Sequence, residues 1–87
     1  MDLTEKENSF LVSERLVGIK DVLICDYIVK RKDDRLILYA YRNRVGEELF
    51  YRLMSGNHVI ESYAASDYKK AIRMFEVSME FQNISKW

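Results

Sequence analysis

The sequence predicts an α+β domain, a four-stranded antiparallel meander with a C-terminal amphipathic helix on one face and a short helix ahead of the sheet. Three observations lead there. Residues 35–64 form three runs rich in β-branched, aliphatic and aromatic side chains, divided by the breaks Val45-Gly46-Glu47 and Ser55-Gly56-Asn57, the pattern of hairpin-linked strands. Residues 20–31 are a further β-prone run, closed by Lys32-Asp33-Asp34-Arg35, whose aspartates suit a turn. Beyond the last strand, Tyr68, Ala71, Ile72, Phe75 and Met79 recur at helical spacing, with Lys69, Arg73, Glu76, Glu80 and Asn83 on the opposite side.

Residues 1–87 therefore read as one small domain: a helix within 1–18, the sheet over 20–64 and the second helix over 66–84. At the start, Thr4 and Glu7 have capping-box spacing, so a helix over 5–17 is expected, grouping Val12, Leu16 and Ile19 and closed by Gly18. Phe10-Leu11-Val12 is also compatible with a short strand. Ser66 is placed to cap the second helix, with Asp67 in its first turn.

Tight turns at Asp33-Asp34 and Gly56-Asn57 fix an expected register. Val29, Leu38, Leu53 and Ile60 then share one row, followed by Tyr27, Ala40, Tyr51 and Ser62, and by Cys25, Arg42, Leu49 and Ala64. This is the dry face that the second helix covers. The other face carries Ile28, Tyr39, Arg52 and Glu61, then Asp26, Tyr41, Phe50 and Tyr63, with Arg52 and Glu61 as an opposite-charge cross-strand pair. A one-residue slip would exchange the faces of any strand it affects.

Composition narrows the function classes. The 14 basic and 14 acidic residues cancel overall. Residues 1–26 hold six acids and three bases, and 27–58 hold seven bases and four acids. A neutral chain lacks the phosphate-neutralising excess of a general nucleic-acid binder, and low net charge eases self-association. The single cysteine, Cys25, forms no disulfide within the chain. With an acidic, polar start and no apolar run near the roughly 18 residues of a membrane span, a cytoplasmic setting without membrane attachment is expected.

The inventory for catalysis is thin. His58 is the only histidine and flanks a turn, no Cys/His group has zinc spacing, and Gly18, Gly46 and Gly56 are isolated. Asp33-Asp34 lacks the other ligands of a calcium loop. A non-enzyme without cofactor or metal is expected. Cys25 reads as a buried, inert residue on a strand face.

The second sheet face is the informative surface. Tyr39, Tyr41, Phe50, Arg52 and Tyr63 gather residue types favoured in protein-binding hot spots, and a protein partner is expected there. The same pattern fits a face closed by the first helix. A second reading is single-stranded nucleic acid, RNA above all, stacking on these aromatics beside Lys30, Arg31, Lys32, Arg35, Arg42 and Arg44. The RNP-type motif is missing, and Asp26 and Glu61 would stand among the bases. A third is a homodimer through Met74, Val77, Phe81 and Ile84, which widen the apolar arc of the second helix.

In size and build the chain is similar to small phage and mobile-element accessory proteins, anti-CRISPR inhibitors among them. That similarity implies a compact inhibitor or regulator that occupies a partner's surface.

Overall fold

The structure, a computed structural model, describes residues 3–13 and 24–85. Helix α1 spans Glu5–Ser13, strands β1 to β4 span Asp26–Asp33, Leu36–Arg42, Glu48–Ser55 and His58–Ala64, and helix α2 spans Tyr68–Ser85. The strands pair antiparallel in chain order, β1-β2-β3-β4. This is the expected α+β meander with a helix before it and a helix after it. Leu16, Gly18, Ile19 and the proposed strand start at residues 20–23 lie outside the described residues.

The helices form for local reasons that the sequence carries. The Thr4 hydroxyl accepts from the Glu7 amide (3.2 Å) and Glu7 Oε1 accepts from the Thr4 amide (3.0 Å), the reciprocal capping box. At nine residues α1 is too short to be stable alone, so its persistence rests on packing. Helix α2 begins later than the sequence suggests. A single 3-10 turn, Ala65–Asp67, precedes it, and Ser66 lies inside that turn instead of capping the α-helix.

Packing divides into two layers around the sheet. On the α2 side, Leu36, Leu38, Ala40, Tyr51, Leu53 and Tyr63 bury against Ala71 and Phe75, with Ile28, Tyr68, Ile72, Met74 and Met79 around them. Each larger apolar side chain buried there stabilises the fold by about 1.5–3 kcal/mol. On the other side, Tyr41, Leu49 and Phe50 meet Leu3, Phe10, Leu11, Ile24 and Tyr39. Helix α1 lies over β3 and β4 on that side.

The expected register holds for β2 and β3, where Leu38 faces Leu53, Ala40 faces Tyr51, Tyr39 faces Arg52 and Tyr41 faces Phe50. It fails at both outer strands: in β1 a displaced turn shifts the pairing by two residues and a bulge takes one back, and in β4 a bulge shifts it by one. The first turn is at Asp34-Arg35, so Asp33 faces Leu36; a bulge at Lys30 then sets Val29 opposite Tyr39, Ile28 opposite Ala40 and Tyr27 opposite Tyr41. Ile28 thereby enters the dry core, and Tyr27 and Val29 leave it. In β4 the residues next to the turn pair as expected, Met54 with Val59, but Ile60 bulges and Leu53 faces Glu61. Arg52 consequently faces Ser62, and Tyr63 faces Tyr51. A third irregularity at Leu49, between the Arg42–Glu48 and Tyr41–Phe50 pairs, sends Leu49 to the α1 side. An extra residue of this kind reverses which face every following side chain takes.

The two hairpin turns at one end of the sheet are joined through Arg35. Its carbonyl accepts from the Gly56 amide (3.0 Å), and its guanidinium lies over Gly56, where an added Cβ would meet Nη2 at 2.8 Å. Gly56 has φ 59° and Gly46, in the opposite turn, has φ 85°, but nothing surrounds a Cβ at Gly46. Both glycines to alanine pay for the left-handed backbone, by about 1 kcal/mol. Gly56→Ala must also push aside the tip of the exposed, flexible Arg35 side chain, which can shift at little cost, so chemical denaturation is expected to show similar losses of about 1 kcal/mol for Gly56→Ala and Gly46→Ala. A loss well above that at Gly56 alone would show that the Arg35 guanidinium is held in place.

Candidate functional site

The site begins with a charge buried under α1. Strand β3 reads Glu-Leu-Phe-Tyr-Arg-Leu-Met, so alternation directs Arg52 to the α1 side in the middle of an apolar surface. There its guanidinium takes the Glu7 carboxylate in a two-pronged contact, Nε to Oε2 at 2.6 Å and Nη2 to Oε1. The Ser62 hydroxyl donates to Glu7 Oε2 (2.6 Å), and Arg52 Nη1 donates to the Tyr41 hydroxyl (3.2 Å). The guanidinium carbon also stands 4.9 Å from the Tyr41 ring centroid. Glu7 is fully buried and Arg52 is 8% exposed. Among the described residues every buried side-chain nitrogen or oxygen has a hydrogen-bond partner, the condition under which a buried ion pair is tolerated.

Electrostatics follow the geometry. Burial pushes the Glu7 carboxyl up, but the Arg52 guanidinium, the Ser62 hydroxyl and the Thr4 amide together hold it below its ordinary value. The bond to Glu7 raises Arg52 in turn, against burial, and burial lifts Tyr41. Beside this centre, Lys6 pairs with Glu61 (2.7 Å) and stands 5.9 Å from both the Phe10 and the Tyr63 ring centroids.

From Phe50 an aromatic row runs outward across the sheet. Tyr41 stacks on Phe50 with centroids 5.0 Å apart, Tyr27 lies 5.5 Å from Tyr41, and Tyr39 meets Tyr27 edge-on at 5.3 Å. The row starts fully buried and ends at Tyr27, 59% exposed on β1, beside Val29, 52% exposed. β1 is an edge of the sheet, and among the described residues no strand pairs with its outer side.

The residues expected to bind a partner are therefore mostly closed off. Tyr41, Phe50, Arg52 and Tyr63 are buried, and Tyr39 is half-buried. Three of them lie under α1 and its neighbours, and the Ile60 bulge turns Tyr63 to the α2 side. The expected Arg52–Glu61 pair is replaced by Arg52–Glu7 and Lys6–Glu61. The sequence does not single out Tyr27, because the expected register assigns it to the dry face. It shows Glu7 as a cap, and the only sign of its second role is that an arginine in an apolar strand needs a carboxylate.

The six expected nucleic-acid contacts do not form one patch. Lys30 binds Glu48 (2.8 Å), which also accepts from the Tyr51 hydroxyl (2.6 Å), and Lys30 lies 5.2 Å from the Tyr68 ring centroid. Burial pushes Glu48 up, but Lys30 and Tyr51 hold it below the ordinary range. Arg42 is held by both oxygens of Asp26, at 2.8 and 2.6 Å. Arg31, Lys32 and Arg35 are exposed at one end beside Asp33 and Asp34, and Arg44 is exposed at the other end.

Of the expected dimer stripe, Val77 and Phe81 are 49% and 72% exposed, and Met74 packs partly on the core. The Ile84 side chain lies outside the described set. Cys25, expected to be buried on a strand face, is exposed and stands one residue ahead of β1, and His58 is exposed as well. Among the described residues no group of three His, Cys, Asp or Glu side chains is placed to hold a metal ion, and no helix is long and apolar enough to cross a membrane. Compared with protein-family models, curated proteins and solved structures, the chain matches none.

The buried pair makes a pH-dependent contribution with a definite sign. Because the folded protein holds Glu7 below its ordinary value, the stabilisation is present above the unfolded-state titration and is lost as pH falls through the folded-state one. Glu7→Gln removes that dependence and strands the Arg52 charge, at a cost of about 3 kcal/mol near neutrality. Urea denaturation at a series of pH values is expected to show the wild type losing more stability than Glu7→Gln as pH falls below the ordinary carboxylate value of 4.5. Parallel curves would contradict the assignment.

Proposed function

We propose that the chain is a non-catalytic protein-binding module whose contact surface is the outer part of the α1-side sheet face, centred on Tyr27 and Val29 with Tyr39 behind them. One observation carries this reading: an exposed tyrosine and an exposed valine stand side by side on an edge strand, at the end of an aromatic row anchored in the core. Tyr27 is fixed by edge-on contact with Tyr39 and tilted contact with Tyr41. A tyrosine already held in place loses little side-chain freedom on binding, and tyrosine is among the residues that dominate binding energy at interfaces. The surface differs from the one the sequence suggests, although it belongs to the same aromatic system.

Nucleic-acid binding draws less support. Stacking sheets present their aromatics to the bases, whereas here only the last member of the row is widely exposed, and two of the six basic residues are already paired with carboxylates.

Site-specific photo-crosslinking tests the surface. A benzophenone amino acid in place of Tyr27 is expected to give a discrete protein–protein product in an extract of the source cells. The same group in place of Lys69, exposed on α2, is expected to give none. No product from position 27, or equal products from both, would overturn the proposal.

A further inference from the structure

The edge strand that carries Tyr27 and Val29 is complementary to itself. Resting on the reading that these residues form a binding surface, we infer that the partner they fit is a second copy of this chain, joined by antiparallel pairing of β1 with β1 about a two-fold axis through Ile28.

The face that each β1 residue takes limits how two copies can pair. Tyr27 and Val29 face Tyr41 and Tyr39, on the α1 side; Ile28 and Asp26 face Ala40 and Arg42, on the α2 side. Lys30 also lies on the α2 side, since its ammonium reaches Glu48 and Tyr68. A two-fold axis normal to the sheet keeps faces together, so residues that pair across it must share a face. Centred on Ile28, the register sets Tyr27 opposite the second copy's Val29, and Val29 opposite its Tyr27. Aromatic and β-branched side chains are a favourable cross-strand combination, and the symmetry supplies it twice.

Charge supports the same register. Asp26 comes opposite Lys30 of the second copy, on the α2 side. Each is already paired within its own chain, Asp26 with Arg42 and Lys30 with Glu48. The junction therefore lines up Arg42, Asp26, Lys30 and Glu48 with alternating sign, twice. Parallel pairing in register would put Asp26 against Asp26 and Lys30 against Lys30. Like charges directly opposed are unfavourable.

The other edge is less suited. β4 is interrupted by the bulge at Ile60, and Lys6 of α1 reaches across to Glu61 beside it. On β1 the segment Asp26–Val29 runs without interruption, and the bulge at Lys30 with Arg31 and Lys32 beyond it stops pairing from spreading to the turn. The product is one eight-stranded sheet, joined over a short segment, so a reversible dimer is the expected species.

The only cysteine of the chain serves as the probe. In this register the two Cys25 residues are six positions apart along adjacent strands, about 20 Å, and Cys25 is exposed. Sedimentation of the purified protein at about 100 μM, a concentration that populates a micromolar dimer, is expected to give twice the 10.4 kDa chain mass. A nitroxide on Cys25 is expected to give a label-to-label distance of about 20–30 Å by pulsed dipolar spectroscopy. Tyr27→Ser is expected to weaken association at least about tenfold while leaving the monomer folded. A monomer at that concentration, or a dimer whose label distance lies outside that range, would overturn the inference. A monomer that still crosslinks a different protein from position 27 rejects only self-pairing, whereas the absence of any product from that position rejects the binding surface itself.

Discussion

The interaction on which the rest of the structure depends is the buried pair between Glu7 and Arg52. Removing the pair's charges from water carries a penalty of several kcal/mol per ion, recovered only when the geometry is good and the remaining lone pairs are met. Both conditions hold here, through the two-pronged contact and the added donors from Ser62 and Thr4. The consequence is positional. A nine-residue helix with little intrinsic stability is pinned at one point over β3 and β4, and the apolar residues Leu3, Phe10 and Leu11 then close over Phe50 and Leu49. The same carboxylate thus caps α1 and docks it.

That docking decides what the aromatic row presents. With α1 in place, Phe50 and Tyr41 act as a foundation, and Tyr27 alone is widely exposed. Three bulges complete the allocation by moving Tyr27 outward, Tyr63 inward to the α2 side, and Leu49 under α1. Each is a one-residue irregularity, yet together they determine which residues of an aromatic-rich sheet reach the surface. The proposed binding surface and the proposed self-pairing both follow from the Lys30 bulge, which gives β1 a straight apolar half and a charged half.

Much of the fold was legible in the sequence because its signals are local. Turn residues, the capping box at Thr4 and Glu7, and the spacing of Tyr68, Ala71, Ile72, Phe75 and Met79 each mark an element without reference to the rest of the chain. The central pairing was legible too, since alternation in β2 and β3 leaves one register that keeps Leu38, Leu53 and Ala40 together. The outer strands were not. A bulge has no residue signature in Val-Lys-Arg or Val-Ile-Glu, and the turn at Asp34-Arg35 uses Asp34 in the left-handed region (φ 54°), a conformation that either aspartate of the pair could take. The partner of Arg52 lies 45 residues away and was visible only as a requirement. An arginine amid Leu, Phe, Tyr, Leu and Met needs a carboxylate, but Glu61 answered that need as well as Glu7 until the Ile60 bulge moved it.

The central claim, that Glu7 and Arg52 act as a unit to hold α1 on the sheet, is tested most directly by a double-mutant cycle in equilibrium denaturation. Glu7→Leu, Arg52→Met and the combined variant are compared with the wild type. Each single change leaves one charge buried without its partner, and the combined change leaves none. Both single variants are expected to lose several kcal/mol and the combined variant to lose well under their sum, with a coupling of about 2 kcal/mol or more. Additive losses, with coupling under about 0.5 kcal/mol, would show that the two side chains act independently and would contradict that claim.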